Sequence, residues 1–189
     1  MIEIIPNWHP ALVHFPIALI LVAAFFTVVA KLASDRPVAG EWAATGRWTL
    51  RCGAVLGMAA ALAGWVAFNS VDHDDAGHVA MLLHRDWAMG TMAAMVVLVL
   101  WEILQTRAGR PVSWRFAAAL ALAAGGVVTT GWLGSELVYR HRLGVMPPPV
   151  AVEPPPPAVD PLPKMDAPVP PPAPGARHSR GHDHSGHKH

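Results

Sequence analysis

Three stretches of this chain, Ala11–Ala30, Cys52–Val71 and Phe116–Ser135, each run for 20 residues without an Asp, Glu, Lys or Arg. A helix of about 20 residues rises roughly 30 Å, the thickness of a bilayer's hydrocarbon core. A fourth run, Trp87–Leu104, is shorter and holds Glu102 near its end. Extended backward through Val79–Leu83, it places His84, Arg85 and Asp86 in an interface. Lipid cannot satisfy backbone polar groups, so each run must be helical. The expected fold is all-α: an integral membrane four-helix bundle with a disordered, Pro/His-rich C-terminal tail. The pattern predicts helices over about 10–32, 50–71, 79–105 and 115–141 within a 1–145 transmembrane domain.

An apolar content of 53% with only 14% charged residues agrees with a membrane protein. The net charge of +1, with no basic recognition motif, gives no reason to expect nucleic acid as a partner. A single cysteine, Cys52, excludes an intramolecular disulfide and any multi-thiolate metal site. The segment Met1–Trp8 contains Glu3 and no Lys or Arg, unlike a signal peptide's basic start, so the first span is expected to be retained.

Short connections carry the orientation signal. Lys31, Arg36, Arg47, Arg51, Arg107, Arg110 and Arg115 gather at one end of the bundle; Arg85, Arg140 and Arg142 lie at the other. The positive-inside rule puts the seven in the cytoplasm. The expected location is therefore a bacterial plasma (inner) membrane with both termini periplasmic or otherwise extracytoplasmic.

Six histidines precede the tail, and the hairpin pattern collects all of them at the outer end. His9 and His14 open the first run, His73 and His78 follow the second, His84 opens the third, and His141 follows the fourth. Imidazole carries protons and ligates metals and haem. Pro16 is expected to kink the first helix and turn His14 inward, while His9 reads as an interfacial ring bonded to a backbone carbonyl. His14, His84 and His141 are the candidates for a cofactor, with His78 in reserve. His9, His73 and His78 are candidate metal ligands beside Asp72, Asp74 and Asp75, although Asp75 also reads as a helix cap. Glu136 and Arg140, four residues apart, are expected to form an ion pair. Met81, Met89, Met92 and Met95 read mainly as packing. Gly53, Gly57 and Gly64 read as a small-residue surface for a neighbouring helix.

Beyond the bundle the composition changes. Fourteen of the 19 prolines lie in Pro147–Pro174, so 146–175 reads as an extended spacer. The 176–189 segment, ARHSRGHDHSGHKH, carries His178, His182, His184, His187 and His189, a flexible candidate site for a divalent transition metal.

The segments HPALVHFPIAL at His9–Leu19 and GSELVYRHRLGV at Gly134–Val145 resemble the two signature segments of a bacterial membrane family, DUF2231. The resemblance covers the four-helix region and stops at the proline tail. It implies a fold and a location more than a reaction. Some relatives carry fused iron–sulfur or c-type cytochrome domains, which implies a redox setting. This chain departs from them in having Arg142 where glycine is common, and in having no such fusion.

Three functions follow as expectations. One is a single-haem b-type redox or respiratory accessory protein, with two imidazoles as axial ligands near the outer face. Its partner would be a quinone or a periplasmic redox protein. The second is binding or handling of copper, zinc or nickel. The third is a cofactor-free accessory subunit of a homo-oligomer or membrane complex. No nucleophile–base pair, phosphate loop or metalloprotease helix appears, so nothing points to a hydrolase.

Overall fold

The computed structural model describes residues 7–145. The proline-rich 146–175 segment and the tail histidines His178, His182, His184, His187 and His189 lie outside the described residues. Five helices follow in order: α1 (His9–Leu12), α2 (His14–Leu32), α3 (Ala39–Ser70), α4 (Asp75–Arg107) and α5 (Trp114–Tyr139). With α1 and α2 taken together, four are long and apolar enough to cross a membrane. There is no strand among the described residues.

The helices start earlier than their apolar runs. α3 begins at Ala39 and carries Glu41, Arg47 and Arg51 within its first half. Hydropathy marks only the lipid-embedded part, whereas good helix formers carry the helix onward into the interface. α4 begins at Asp75, and its cap is Asp74, not Asp75: the Asp74 carboxylate accepts a hydrogen bond from Gly77 N at 2.7 Å. Ser113 caps α5 in the same way through Phe116 N at 3.2 Å.

Each helix packs on its sequence neighbours, and α5 closes the ring against α2. The tightest seam joins α2 to α3, where the glycines of α3 meet successive residues of the first span. A Cβ added at Gly46 would strike Thr27, and one at Gly53 would strike Ile20. Gly57 lies against Pro16 and Met92, and Gly64 against His9. The steps are seven, four and seven residues on both strands of the seam, so one antiparallel register runs its whole length. The expected small-residue surface exists, and it reaches further than lipid-span packing required.

Ile20, Leu50 and Leu120 are fully buried, and Met95, Leu98 and Phe116 complete the core. Phe25, Val55, Leu62, Val97 and Leu122 stand on the outside. Such an apolar exterior would be a liability in water and is the expected surface in lipid.

Candidate functional site

The histidine end of the bundle is shaped first by two prolines. Pro10 sits in the first turn of α1, where its missing N–H costs no helical hydrogen bond. Pro16 cannot donate to the Leu12 carbonyl, and the helix breaks at Val13, between α1 and α2. The interruption falls one turn before Pro16 while Val13 keeps helical dihedrals, and of the two histidines at this entrance it is His9, not His14, that packs inward. His9 is half-buried, whereas His14 lies exposed on the outer surface.

His9 lays its ring against Gly64, whose absent Cβ would stand 2.9 Å from ring atoms. Its Nδ1 lies 2.8 Å from the Ala60 carbonyl oxygen on α3. A carbonyl only accepts, so Nδ1 carries the proton and donates, and the neutral ring keeps its free lone pair on Nε2. Gly64 is the socket that permits this reach across the seam.

His84 on α4 has the matching arrangement on the other side. Its ring sits against Gly134 of α5, 3.2 Å from where a Cβ would be. The Thr130 backbone lies beside it. The Thr130 carbonyl is its nearest acceptor, yet the contact falls short of good hydrogen-bond geometry, so the buried Nδ1 has no well-formed partner. Orphaned buried polar atoms are rare and call for an explanation. The His9 and His84 ring centroids are 6.2 Å apart, with the planes at 79°. The structure thus joins the first and third spans through imidazoles, with His9 in the position expected of His14.

The other histidines of this end are placed separately. His73 Nδ1 donates to the Val71 carbonyl at 2.7 Å, and its Nε2 lies 2.9 Å from His78 Nδ1. With His73 neutral, Nε2 accepts and His78 Nδ1 donates, which leaves His78 Nε2 as the pair's unspent acceptor. The two rings stack at 5.1 Å, and Phe68 flanks His78 at 6.1 Å. His141 is half-buried past the end of α5 and joins neither pair. The ion pair expected between Glu136 and Arg140 forms at 2.8 Å. Among the described residues, no three His, Cys, Asp or Glu side chains come together as a metal site. Met81 and Met95 are buried packing, Met92 fills the space beside Gly57, and Met89 faces outward.

A second polar centre, at the opposite end, is absent from the candidates read in the sequence. Glu102 is only 3% exposed. Arg51 grips it with a fork, Nε to Oε2 at 2.8 Å and Nη2 to Oε1 at 3.1 Å. Thr106 donates to Oε1 at 2.7 Å, and Arg47 Nε stands 3.8 Å away. The signal was available: a carboxylate inside an apolar run demands a partner, and Arg47 and Arg51 lie one turn apart on the preceding helix.

Between the two ends lies a mainly apolar interior. The Thr91 and Thr130 hydroxyls meet at 3.3 Å below the His84 layer, and Met95 and Leu98 then separate them from Glu102 on α4. His84 and Glu102 are 18 residues apart, about 27 Å along the helix and close to one hydrocarbon thickness.

Residues 6–147, most of the chain, match the family described as predicted membrane protein (DUF2231), and the chain belongs to that family. No curated protein and no solved structure matched it.

Proposed function

We propose that this DUF2231 protein is a multi-pass inner-membrane protein whose working centre is the His9–His84 pair, acting as the axial ligands of one haem b near the extracytoplasmic face. The observation that carries the reading is two imidazoles from different spans with centroids 6.2 Å apart, one with its Nδ1 committed to a carbonyl and the other with a buried Nδ1 that lacks a well-formed partner. A ligating histidine commonly gives its other N–H to a backbone carbonyl, which fixes the tautomer and the ring's direction. Rings that held one metal between them would stand apart by two metal–nitrogen bonds plus the reach of each ring. The observed 6.2 Å suits that disposition. An open groove of about 760 Å³ between α4 and α5 runs past Leu83 and Trp87, chain neighbours of His84, although neither histidine lines it.

A haem held there would supply one-electron chemistry. The chain's own part is to clamp two rings in glycine sockets and exclude water around them. The seven-to-three distribution of Lys and Arg supports the assignment of this end to the extracytoplasmic side. One site at one end suits exchange with a quinone or an extracytoplasmic redox protein, and the apolar interior offers no second ligand pair.

The deciding measurement is the absorption spectrum of the full chain purified in mild detergent. A Soret band with sharp reduced α and β bands is expected, lost in His9→Ala and His84→Ala and kept in His14→Ala. A colourless protein from haem-supplied cells would overturn the reading.

A second reading, transition-metal handling, is favoured by the His73–His78 contact at 2.9 Å. It calls for copper or zinc binding that falls in His78→Ala and persists without residues 176–189. A protein that is both colourless and metal-free leaves the accessory role.

A further inference from the structure

We infer that the mouth of the Glu102 cluster binds the phosphodiester headgroup of an acidic phospholipid. The argument is independent of the haem site, which lies at the other end of the bundle.

Both oxygens of Glu102 are already engaged. Arg51 and Thr106 occupy both of its oxygens, and Arg47 stops at 3.8 Å, too far for a hydrogen bond. Arg47 therefore keeps its donors, with 35% of its side chain exposed. Arg110 is brought to the same place by the end of α4. Gly109 adopts φ +62°, and Arg110 N returns to the Gln105 carbonyl at 3.0 Å, which folds the chain back over the last turn. Arg110 is exposed and makes no ion pair among the described residues.

Arg47, Arg110 and Glu102 line one void of about 20 Å³, together with Thr27 and Gln105. That volume admits a single water and nothing larger. A ligand must therefore sit at the mouth, where Arg47 and Arg110 stand beside the mutually neutralised Arg51–Glu102 pair and leave two positive charges in excess. Guanidinium forks match the paired oxygens of a phosphate, and the low-lying carboxylate keeps Arg51 from collapsing onto them.

The surroundings select a lipid over a soluble anion. Glu102 lies about one hydrocarbon thickness from His84, at the level where headgroups begin. Trp48 and Trp114 are exposed at this end, and Trp48 lies beneath the Arg51 guanidinium at 5.3 Å. Interfacial tryptophans and basic pockets between spans are the setting in which acidic headgroups are held.

The test is native mass spectrometry of the full chain in mild detergent, given equal amounts of phosphatidylglycerol and phosphatidylcholine. Phosphatidylglycerol should be retained preferentially, and Arg47→Gln with Arg110→Gln should lower its occupancy about tenfold while leaving phosphatidylcholine unchanged. Arg36→Gln with Arg107→Gln removes the same charge nearby and should change it less than about twofold. Equal losses in the two double variants, no preference in the parent chain, or ready displacement by inorganic phosphate would each overturn the proposal. Should the Gln pair fail to fold, Arg47→Lys with Arg110→Lys keeps the charge and removes the forks. Intermediate occupancy then supports the site, and parental occupancy sinks it.

Discussion

At the residue scale, two glycines decide where the histidines can go. A methyl group at Gly64 would stand 2.9 Å from the His9 ring, inside any real contact, whereas one at Gly134 would meet His84 at 3.2 Å. Gly64→Ala is therefore expected to push His9 off the Ala60 carbonyl and lower the melting temperature in detergent, at a cost of about 1–3 kcal/mol. Gly134→Ala should cost less. Gly90→Ala and Gly125→Ala, with nothing within 4 Å, should be neutral or stabilising by up to about 1 kcal/mol. A melting series in which all four substitutions behave alike would refute the socket argument. Arg142 offers the opposite case. It holds φ +54° just past α5, and Leu143 N reaches the Leu137 carbonyl at 3.0 Å, the geometry for which glycine is best suited. Arg142→Gly should raise the melting point, by relief of about 1 kcal/mol of backbone strain. Why His9 and His14 were harder to assign is also a residue-scale matter. Five residues on a helix turn through about 140°, so at most one of the two can face inward. Sequence spacing does not say which, and the answer depends on Gly64, a partner 55 positions away.

At the element scale, the long apolar runs made all four spans legible, because lipid admits few alternatives to a helix. The polar helix ends were not legible, since hydropathy falls before the helix does. The glycines of α3 were visible as a packing surface, but their register against α2 appears only when Thr27, Ile20, Pro16 and His9 are seen to take their places opposite them. The seam between α3 and α4 is held differently, by the Arg51–Glu102 fork. Removing Arg51 strands the buried Glu102 carboxylate, so Arg51→Leu is expected to destabilise the bundle by about 3–5 kcal/mol. Replacing both partners, Arg51→Leu with Glu102→Leu, should restore most of that loss, because two apolar side chains suit the interior. The check is a double-mutant cycle of melting temperatures. Additive losses would mean that the fork is not a coupled latch, and that Glu102 is held chiefly by Thr106 and its packing.

At the scale of the whole molecule, the two polar centres sit at opposite ends of an apolar interior. Thr91 and Thr130 extend the outer centre a short way inward. Below them Ile20, Leu50, Met95, Leu98 and Leu120 close the path to Glu102. Such an interior argues against a continuous proton or ion route and for two sites that work separately, each at its own membrane surface. Which surface is which then decides what the histidines can meet. Cys52 is the only cysteine, so a Cys52→Ala chain is a clean background for labelling. Ser70 ends α3 beside the histidine layer, and Ser34 lies in the connection between α2 and α3; both are exposed. Under the proposed orientation, with the seven basic residues cytoplasmic, Ser70→Cys should react with an impermeant maleimide in intact spheroplasts, and Ser34→Cys only after lysis. The reverse pattern would turn the molecule over. His9 and His84 would then face the cytoplasm, and an extracytoplasmic electron partner would be ruled out however well the pair ligates haem.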